Sequence, residues 1–167
     1  MKKVLLVLSL AVAGLFSSAC ANSGEKKNEQ AASGQTAAQS GEVVPMNNQL
    51  FISNVFDYTK NTDWKYTGNK PAIIDFYADW CGPCRKVAPI MKELAKEYEG
   101  QVVIYKVDTD KEKELAGAMG ITSLPTIVFI PLKGEPRTIV GAADKATFKK
   151  AIDEYLLGKS GQTAAVK

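Results

Sequence analysis

The sequence contains no histidine, and this absence excludes several kinds of functional site. Histidine-based catalytic triads and histidine metal ligands are impossible. So is a c-type haem site, which needs histidine directly after two cysteines spaced Cys-x-x-Cys. Cysteine is also scarce, with three in the whole chain. Because a structural zinc site takes four ligands, usually cysteine or histidine, we expect a protein without a structural metal.

The chain also lacks a large excess of charge of one sign, and it lacks long hydrophobic runs. The chain has 21 basic and 18 acidic residues, a formal net charge of +3. The basic residues are dispersed, so no nucleic-acid-binding surface is predicted. The apolar run at 4–16 is shorter than the roughly 20 residues that a membrane-spanning helix needs. We therefore interpret that run as part of a targeting segment.

Residues 1–20 are predicted to form an export signal, since two lysines precede the short apolar run. Ser17 to Cys20 resemble a bacterial lipoprotein box, in which Cys20 would carry the lipid and become the mature N-terminus. Ser17 departs from that pattern, which prefers a branched apolar residue. One alternative is cleavage at the small-residue site Ala19-Cys20-Ala21, which would discard Cys20. The second alternative is that Cys20 lies at the boundary of the export signal by chance and carries no lipid.

Composition divides the rest of the chain into three parts. Residues 21–42 contain no aromatic residue and no leucine, isoleucine or valine, so they bury too little apolar surface to fold. We predict that they form a flexible linker with a root-mean-square span of about 25 Å. A single folded domain is predicted at 43–158 and a polar tail at 159–167.

Hydrophobic periodicity predicts an alternating α/β order within the domain. Predicted strands lie at 50–52, 72–77, 102–107, 126–130 and 137–140, the last two joined as an antiparallel hairpin. A helix or turn begins at 55, and predicted helices lie at 83–98, 111–119 and 144–156. Pro89 should kink the first of these helices, and Asp144 is the expected N-cap of the last.

Cys81 and Cys84 lie where the predicted strand 72–77 meets the predicted helix 83–98. A helix N-terminus carries a partial positive charge, which lowers a cysteine pKa from about 8.5 into the range of about 3.5–7.5. Cys-x-x-Cys in this setting is typical of a redox motif. We expect Cys81, the more exposed, to attack a disulfide and the shielded Cys84 to resolve the mixed disulfide. The alternative in an exported protein is a static structural disulfide. So short a loop, however, lowers the entropy of the unfolded chain only slightly and would stabilise the fold little.

Asp75 interrupts an otherwise apolar predicted strand. If that strand is central, burial disfavours the charged carboxylate and raises the pKa of Asp75. Such a group can accept a proton near neutral pH, which suits a base for Cys84. The alternative is a carboxylate at a strand end that faces solvent.

Residues 75–98 read DFYADWCGPCRKVAPIMKELAKEY, which resembles the active-site segment of the thioredoxin family. Asp75 six residues before the first cysteine, Pro89 eight residues after it, and Leu124-Pro125-Thr126 downstream strengthen the resemblance. It extends from about Val44 to Leu157. Together with the element order, it implies the thioredoxin fold, an α/β domain with a central mixed β-sheet flanked by helices.

The resemblance also implies roles for individual residues. Asp75 corresponds to the family's buried acid, and Lys106 to a lysine that tunes it, unless Lys106 is a plain surface lysine. Pro125 corresponds to a cis proline beside the sulfurs, and Leu124 offers its backbone to an extended substrate segment. The remaining residues expected to contact substrate or complete an apolar rim are Trp80, Gly82, Pro83, Gly141 and Ala142. The alternative for Trp80 is a side chain that fills the core. Asp79 and Arg85 flank the cysteine motif and are expected to have a weak electrostatic influence on it.

We interpret the chain as an exported, lipid-anchored, monomeric thioredoxin that needs no metal or organic cofactor. A reductase is the first hypothesis, because Gly82-Pro83 and Asp75 are, by the resemblance, features of the reducing members. An envelope oxidase or isomerase is the second, since the compartment is oxidising. A non-catalytic binding domain is the third, against which the intact motif argues. Expected partners are disulfide-bearing envelope proteins, a membrane or envelope electron donor and the membrane itself. The expected location is periplasm-facing or outer-membrane, or soluble periplasmic or secreted without the lipid.

Overall fold

The computed structural model describes residues 41–159. Its strands are β1 (Val43–Pro45), β2 (Ala72–Tyr77), β3 (Val103–Asp108), β4 (Thr126–Ile130) and β5 (Arg137–Val140). Its helices are α1 (Asn48–Asn54), α2 (Gly82–Glu97), α3 (Lys113–Ala118), α4 (Lys145–Lys150) and π1 (Ala151–Leu156), a π-helix that continues α4. No helix in this range is long and apolar enough to cross a bilayer. The predicted export signal with Cys20, almost all of the linker and most of the tail lie outside the described residues.

The strands form a mixed sheet in the order β1-β3-β2-β4-β5. The first three of these run parallel, whereas β4 pairs antiparallel with β2, and β5 antiparallel with β4. The centre of the sheet is therefore β2, which is buried at every position except its last. The predicted mixed sheet and the β4–β5 hairpin are confirmed.

The side chains of β2 alternate between two hydrophobic cores, one on each face of the sheet. Ile73 belongs to the core that α2, α4 and π1 complete. Ile74 and Phe76 belong to the opposite core, together with Phe51 of α1. Because residues two apart in a strand share a face, Asp75 lies on the face that α2 covers. A carboxyl group thus lies beneath the helix that begins at the cysteine pair.

The predicted first strand, 50–52, is wrong, because these residues lie inside α1 and the first strand is β1. Asn47 caps the helix, and its side-chain oxygen accepts a hydrogen bond from the Leu50 backbone N–H at 2.8 Å. Phe51 is completely buried whereas its neighbours Leu50 and Ile52 are only partly so. Three consecutive apolar residues do not distinguish a short strand from the buried face of a short helix.

The other predicted elements are confirmed, with ends that differ by two residues at most. Val55 ends α1 and is followed by a turn, one of the two outcomes expected there. Asp144 caps α4 as predicted, accepting a hydrogen bond from the Thr147 backbone N–H at 2.8 Å. The predicted last helix is continuous, but its second half is the π-helix π1. Pro89 lies inside α2, and its kink stays a prediction.

Candidate active site

Cys81 and Cys84 form a disulfide at the N-terminus of α2, just beyond the carboxyl end of β2. Cys81 is the N-cap residue and Cys84 lies in the first turn, with their Cα atoms 5.3 Å apart. The Cys81 Sγ accepts a hydrogen bond from the Cys84 backbone N–H at 3.2 Å. Pro83 lies in the first turn, where a missing N–H breaks no helical hydrogen bond. Both the N–H donor and the helix dipole therefore favour a thiolate at Cys81.

The two cysteines are equally buried in this oxidised form, each 4% exposed. The expectation that Cys81 is the more exposed is wrong for the disulfide, because both cysteines lie in a buried cluster with Ala78, against which Leu124 packs. Exposure therefore does not separate the attacking cysteine from the resolving one. The hydrogen bond from the Cys84 N–H to the Cys81 Sγ does separate them, since a donor favours the charged sulfur.

Trp80 stands out from the surface beside the cysteine pair. It is 69% exposed, which contradicts the alternative that it fills the core. Its indole Nε1 donates a hydrogen bond to the Asp110 carboxylate at 2.9 Å. Asp110 follows the carboxyl end of β3, the strand beside β2, and sequence reasoning missed it. The one sequence signal for it is its position just after a predicted strand, since sites in α/β sheets lie beyond the carboxyl ends of the strands.

The Leu124–Pro125 peptide bond is cis, as the resemblance implies. Pro125 is buried, and its carbonyl accepts a hydrogen bond from the Gly141 N–H at 2.8 Å. Gly141 has φ +89°, a conformation that residues with a Cβ rarely adopt. The glycine therefore holds the chain after β5 against the cis-proline loop. Leu124, next to that proline, packs against the cysteine pair.

An exposed rim surrounds the cysteine pair. Val140, at the end of β5, is 64% exposed and was not foreseen, although it directly precedes Gly141. Of the predicted rim residues, Pro83 and Ala142 are exposed and Gly82 is partly exposed. Asp79 and Arg85, which flank the cysteine motif, contact each other at the surface. The Arg85 guanidinium donates a hydrogen bond to the Asp79 backbone carbonyl at 3.5 Å.

Asp75 is 5% exposed, so the alternative of a solvent-facing carboxylate is contradicted. Burial raises the pKa of Asp75 from 3.8 to about 7, and the positive charge of Lys106 acts in the opposite direction. Lys106 is the register neighbour of Asp75 on β3 and lies half-buried with its ammonium 5.7 Å from the centre of the Tyr77 ring. Within residues 41–159 the Asp75 Oδ1 has no hydrogen-bond partner.

A disulfide at a helix N-terminus, a cis-proline loop packed beside it and a buried carboxyl group beneath the helix together define a thiol–disulfide oxidoreductase. Across residues 41–159, no group of three or more cysteine, aspartate and glutamate side chains is placed to hold a metal ion. The Cys81–Cys84 pair itself can perform thiol–disulfide exchange.

Comparison with known proteins gives the family. The family model described as Thioredoxin matches residues 55–154. A thioredoxin of Borreliella burgdorferi is 45% identical over 112 residues, which are 67% of this chain and 96% of that protein. An M-type chloroplastic thioredoxin of Pisum sativum is 43% identical, and the match covers 52% of this chain and half of the longer plant protein.

Solved structures agree with this assignment. A chloroplastic thioredoxin z has a TM-score of 0.58 at 25% identity, with 68% of this chain and 93% of that one covered. A thioredoxin of Malassezia sympodialis has a TM-score of 0.57 at 30% identity, with 69% of this chain and 91% of that one covered. The chain belongs to the thioredoxin family and has the thioredoxin fold. With its cysteine pair in the active-site position, it is a thioredoxin-type protein-disulfide reductase that acts on protein disulfides.

Proposed function

We propose that this thioredoxin reduces disulfides of proteins in the cell envelope while a lipid on Cys20 holds it at the membrane. The observation that carries the redox part is the cysteine pair at the helix N-terminus above a buried acid. Support for the envelope part comes from the charged and apolar residues of 1–16, the small residues before Cys20 and the polar composition of 21–42. A membrane or envelope protein would supply the electrons.

The reaction starts from the reduced protein. The Cys81 thiolate attacks one sulfur of a substrate disulfide, so a bond forms between Cys81 and that sulfur while the other substrate sulfur leaves as a thiolate. Cys84 then gives its proton to Asp75 and attacks the Cys81 sulfur. The Cys81–Cys84 disulfide forms and the second substrate thiolate departs. Two electrons have passed from the cysteine pair to the substrate, and the two leaving thiolates take up protons.

Substrate would bind as an extended segment across the cis-proline loop. Within residues 41–159 no hydrogen bond uses the backbone N–H or C=O of Leu124, so both groups are available to pair with a substrate strand. Trp80 and Val140 provide exposed apolar surface for the same segment. Asp110 orients the Trp80 ring on that surface through the indole hydrogen bond.

The competing function is an envelope oxidase or isomerase, which would use the same cysteine pair in the opposite direction. Gly82-Pro83 between the cysteines and the buried Asp75 favour the reductase, because the resemblance associates both with reducing members. A binding domain without catalysis is disfavoured, since Cys81, Cys84 and the cis Pro125 are all in place.

Fractionation of cells combined with thiol trapping tests the envelope assignment. Wild-type protein should need detergent for extraction from membranes, and Cys20→Ala should move to the soluble envelope fraction, because acyl chains supply about 0.8 kcal/mol of membrane affinity per buried CH₂ group. In Cys20→Ala the remaining cysteines are Cys81 and Cys84, and alkylation in intact cells should find both reduced.

Disulfide reduction by purified Cys20→Ala should equal that of the wild-type domain, which separates the anchor from the chemistry. If the variant still needs detergent, the lipid anchor is wrong. If the cysteine pair is mainly oxidised in growing cells, the oxidase hypothesis replaces the reductase.

A further inference from the structure

The last strand of the sheet, β5, has a neighbour on one side only. It pairs with β4, and among the strands of residues 41–159 none pairs with its other side. An edge strand leaves backbone N–H and C=O groups without ladder partners, so it is a template on which another extended chain can pair. We call residues 138–140, the end of β5 nearest the cysteine pair, the β5 edge.

The register of the β4–β5 hairpin shows which backbone groups point to the open side. Pro125 and Gly141 lie opposite each other, and the Gly141 N–H donates a hydrogen bond to the Pro125 carbonyl at 2.8 Å. Because hydrogen-bonded pairs alternate along antiparallel strands, Ile139 bonds with β4, whereas Thr138 and Val140 direct their N–H and C=O groups away from it. In the part of the chain that the structure describes, no backbone hydrogen bond outside the sheet uses these four groups.

The side chains of β5 are exposed on one face of the strand and anchored on the other. Thr138 and Val140 share a face and are both exposed, Val140 to 64%. Ile139, on the opposite face, packs against the core that α2, α4 and π1 complete. The Arg137 guanidinium lies 4.0 Å from the centre of the Tyr155 ring of π1. These contacts hold the strand in place while its open side stays accessible.

Only one end of β5 carries the features that protect an edge strand from pairing. Proline and charged residues serve this purpose in many proteins, and here Pro136 and Arg137 lie at the end of β5 next to the hairpin turn. The β5 edge reads Thr-Ile-Val, which is uncharged and β-branched throughout, and such residues favour extended pairing. The open end is therefore the one beside the cysteine pair, which favours a partner that arrives from the rim.

We infer that the β5 edge is a second docking site for protein substrates, which add an extended segment to it as a sixth strand while their disulfide lies at the cysteine pair. The inference rests on the proposed binding of substrate across the cis-proline loop, and it continues that surface from Val140 along β5. Three residues bury far less surface than the roughly 1,200–2,000 Å² of a stable interface. A substrate already held at the rim therefore fits the β5 edge better than a second copy of this chain.

The geometry defines where the docking segment lies in the substrate. Neighbouring strands are about 4.8 Å apart, so a strand added beyond β5 lies three spacings, about 14 Å, from β2 and the cysteine pair at its end. An extended chain covers about 3.3 Å per residue, so about four or five residues bridge that distance. Because β5 runs toward the rim, a segment that leaves the substrate cysteine in the C-terminal direction pairs antiparallel with it, which is the more stable arrangement.

The charge of β5 indicates a further property of the docking segment. Arg137 forms no ion pair within residues 41–159, and opposite charges on neighbouring strands stabilise pairing. The segment should therefore be uncharged and β-branched near the rim and acidic at its far end. The substrate class is thus proteins in which such a segment, able to become a strand, follows the reacting cysteine.

Peptides with one cysteine, each in a disulfide with an aromatic thiol whose release is followed by absorbance, test the inference. The aromatic thiol has the lower pKa and leaves first, so Cys81 of the reduced protein bonds to the peptide sulfur. A short peptide covers the rim alone, and a long one adds about five linking residues and then Thr-Val-Thr-Val-Glu. The second-order rate constant for release should be about tenfold higher for the long peptide, because its segment can form hydrogen bonds with β5.

Methylation of backbone nitrogens in the added segment distinguishes strand pairing from general apolar contact. One alternate set of residues faces β5 and the other faces away from it. Methylating one set should therefore abolish the tenfold gain, whereas methylating the other set should preserve it. Equal effects of the two sets, or no gain from the added segment, would overturn the inference.

Thr138→Pro tests the same contact from the side of the protein. It removes an N–H that faces away from β4, and proline is tolerated at such positions of edge strands. The long peptide should then react within about twofold of the short one, whose rate should stay at the wild-type value. Thr138→Val keeps the N–H and should match the wild type with both peptides. Thermal unfolding shows whether the variants fold, and the methylated peptides decide the question with the wild-type protein if Thr138→Pro does not.

The outcomes separate this inference from the proposed binding across the cis-proline loop. Methylating the residues that adjoin the cysteine of the short peptide should slow release if substrate pairs with the backbone of Leu124. If it does so but the added segment brings no gain, the β5 edge is wrong and binding across the loop stands. If it has no effect, binding across the loop is itself wrong. A wild-type dimer that Thr138→Pro dissociates in analytical ultracentrifugation would assign the β5 edge to a second copy and overturn the substrate site.

Discussion

Replacing Cys84 with serine should abolish turnover of disulfide substrates and leave them covalently attached to Cys81. The hydrogen bond from the Cys84 backbone N–H is independent of that side chain, and the helix N-terminus is unchanged, so the Cys81 thiolate remains stabilised. The first attack therefore proceeds, while the second thiol needed for resolution is missing. Mixed disulfides should accumulate in nearly stoichiometric amounts, visible on non-reducing gels.

Cys81→Ser is the matched control, because it keeps one thiol and the same fold. It should form no mixed disulfides, since the remaining Cys84 lacks both the N-cap position and the backbone N–H donor that favour a thiolate at Cys81. Both variants should lose essentially all catalytic reduction. Equal amounts of mixed disulfide in the two variants would show that the assignment of Cys81 as attacker and Cys84 as resolver is wrong.

Asp75→Asn should slow the resolving step and leave the attack by Cys81 nearly unchanged. The variant keeps the shape of the side chain but cannot accept the Cys84 proton. A positioned base contributes about 10²–10⁴-fold to a rate, and solvent substitutes in part here, so the expected slowing is at the low end of that range or below it. Stopped-flow kinetics with a disulfide substrate distinguishes the two steps.

The same variant should be more stable than the wild type above neutral pH. Burial raises the pKa of Asp75 from 3.8 to about 7, so between those values the folded protein holds a proton that the unfolded chain has released. The contribution of this group to the free energy of unfolding is therefore largest below about pH 4, declines as the pH rises, and is lost above about pH 7. The full loss corresponds to about 4 kcal/mol.

Asparagine does not titrate, so the advantage of Asp75→Asn should grow from pH 4 to pH 8. A buried amide without partners itself costs about 1–3 kcal/mol, so the net gain at pH 8 should be about 1–3 kcal/mol. Denaturant unfolding at both pH values measures it. A variant with normal resolution and lower stability at both pH values would identify Asp75 as an ordinary structural residue.

Much of the site could be predicted from the sequence because its chemistry is concentrated in short segments. The cysteine pair, its helix and the strand before it are contiguous, and the apolar run that Asp75 interrupts indicated a buried strand. The β4–β5 hairpin is likewise local. The first strand was misplaced because α1 is short and its apolar residues, such as Phe51, fit either period.

Residues brought together from distant parts of the chain could not be predicted in the same way. Asp110 meets Trp80 across 30 positions, and Val140 reaches the rim only because β5 lies at the edge beside β4. The equal burial of the two cysteines also follows from packing, since Leu124 packs against their cluster from a separate loop.

The reduction potential of the Cys81–Cys84 pair tests the central claim most directly. Purified protein lacking residues 1–20 would be equilibrated with dithiothreitol or glutathione buffers and the reduced fraction measured by alkylation. A reductase predicts a potential near the value general for thioredoxins, about −270 mV. A potential near that of strong oxidants, about −120 mV, would contradict the account and assign the protein to disulfide formation.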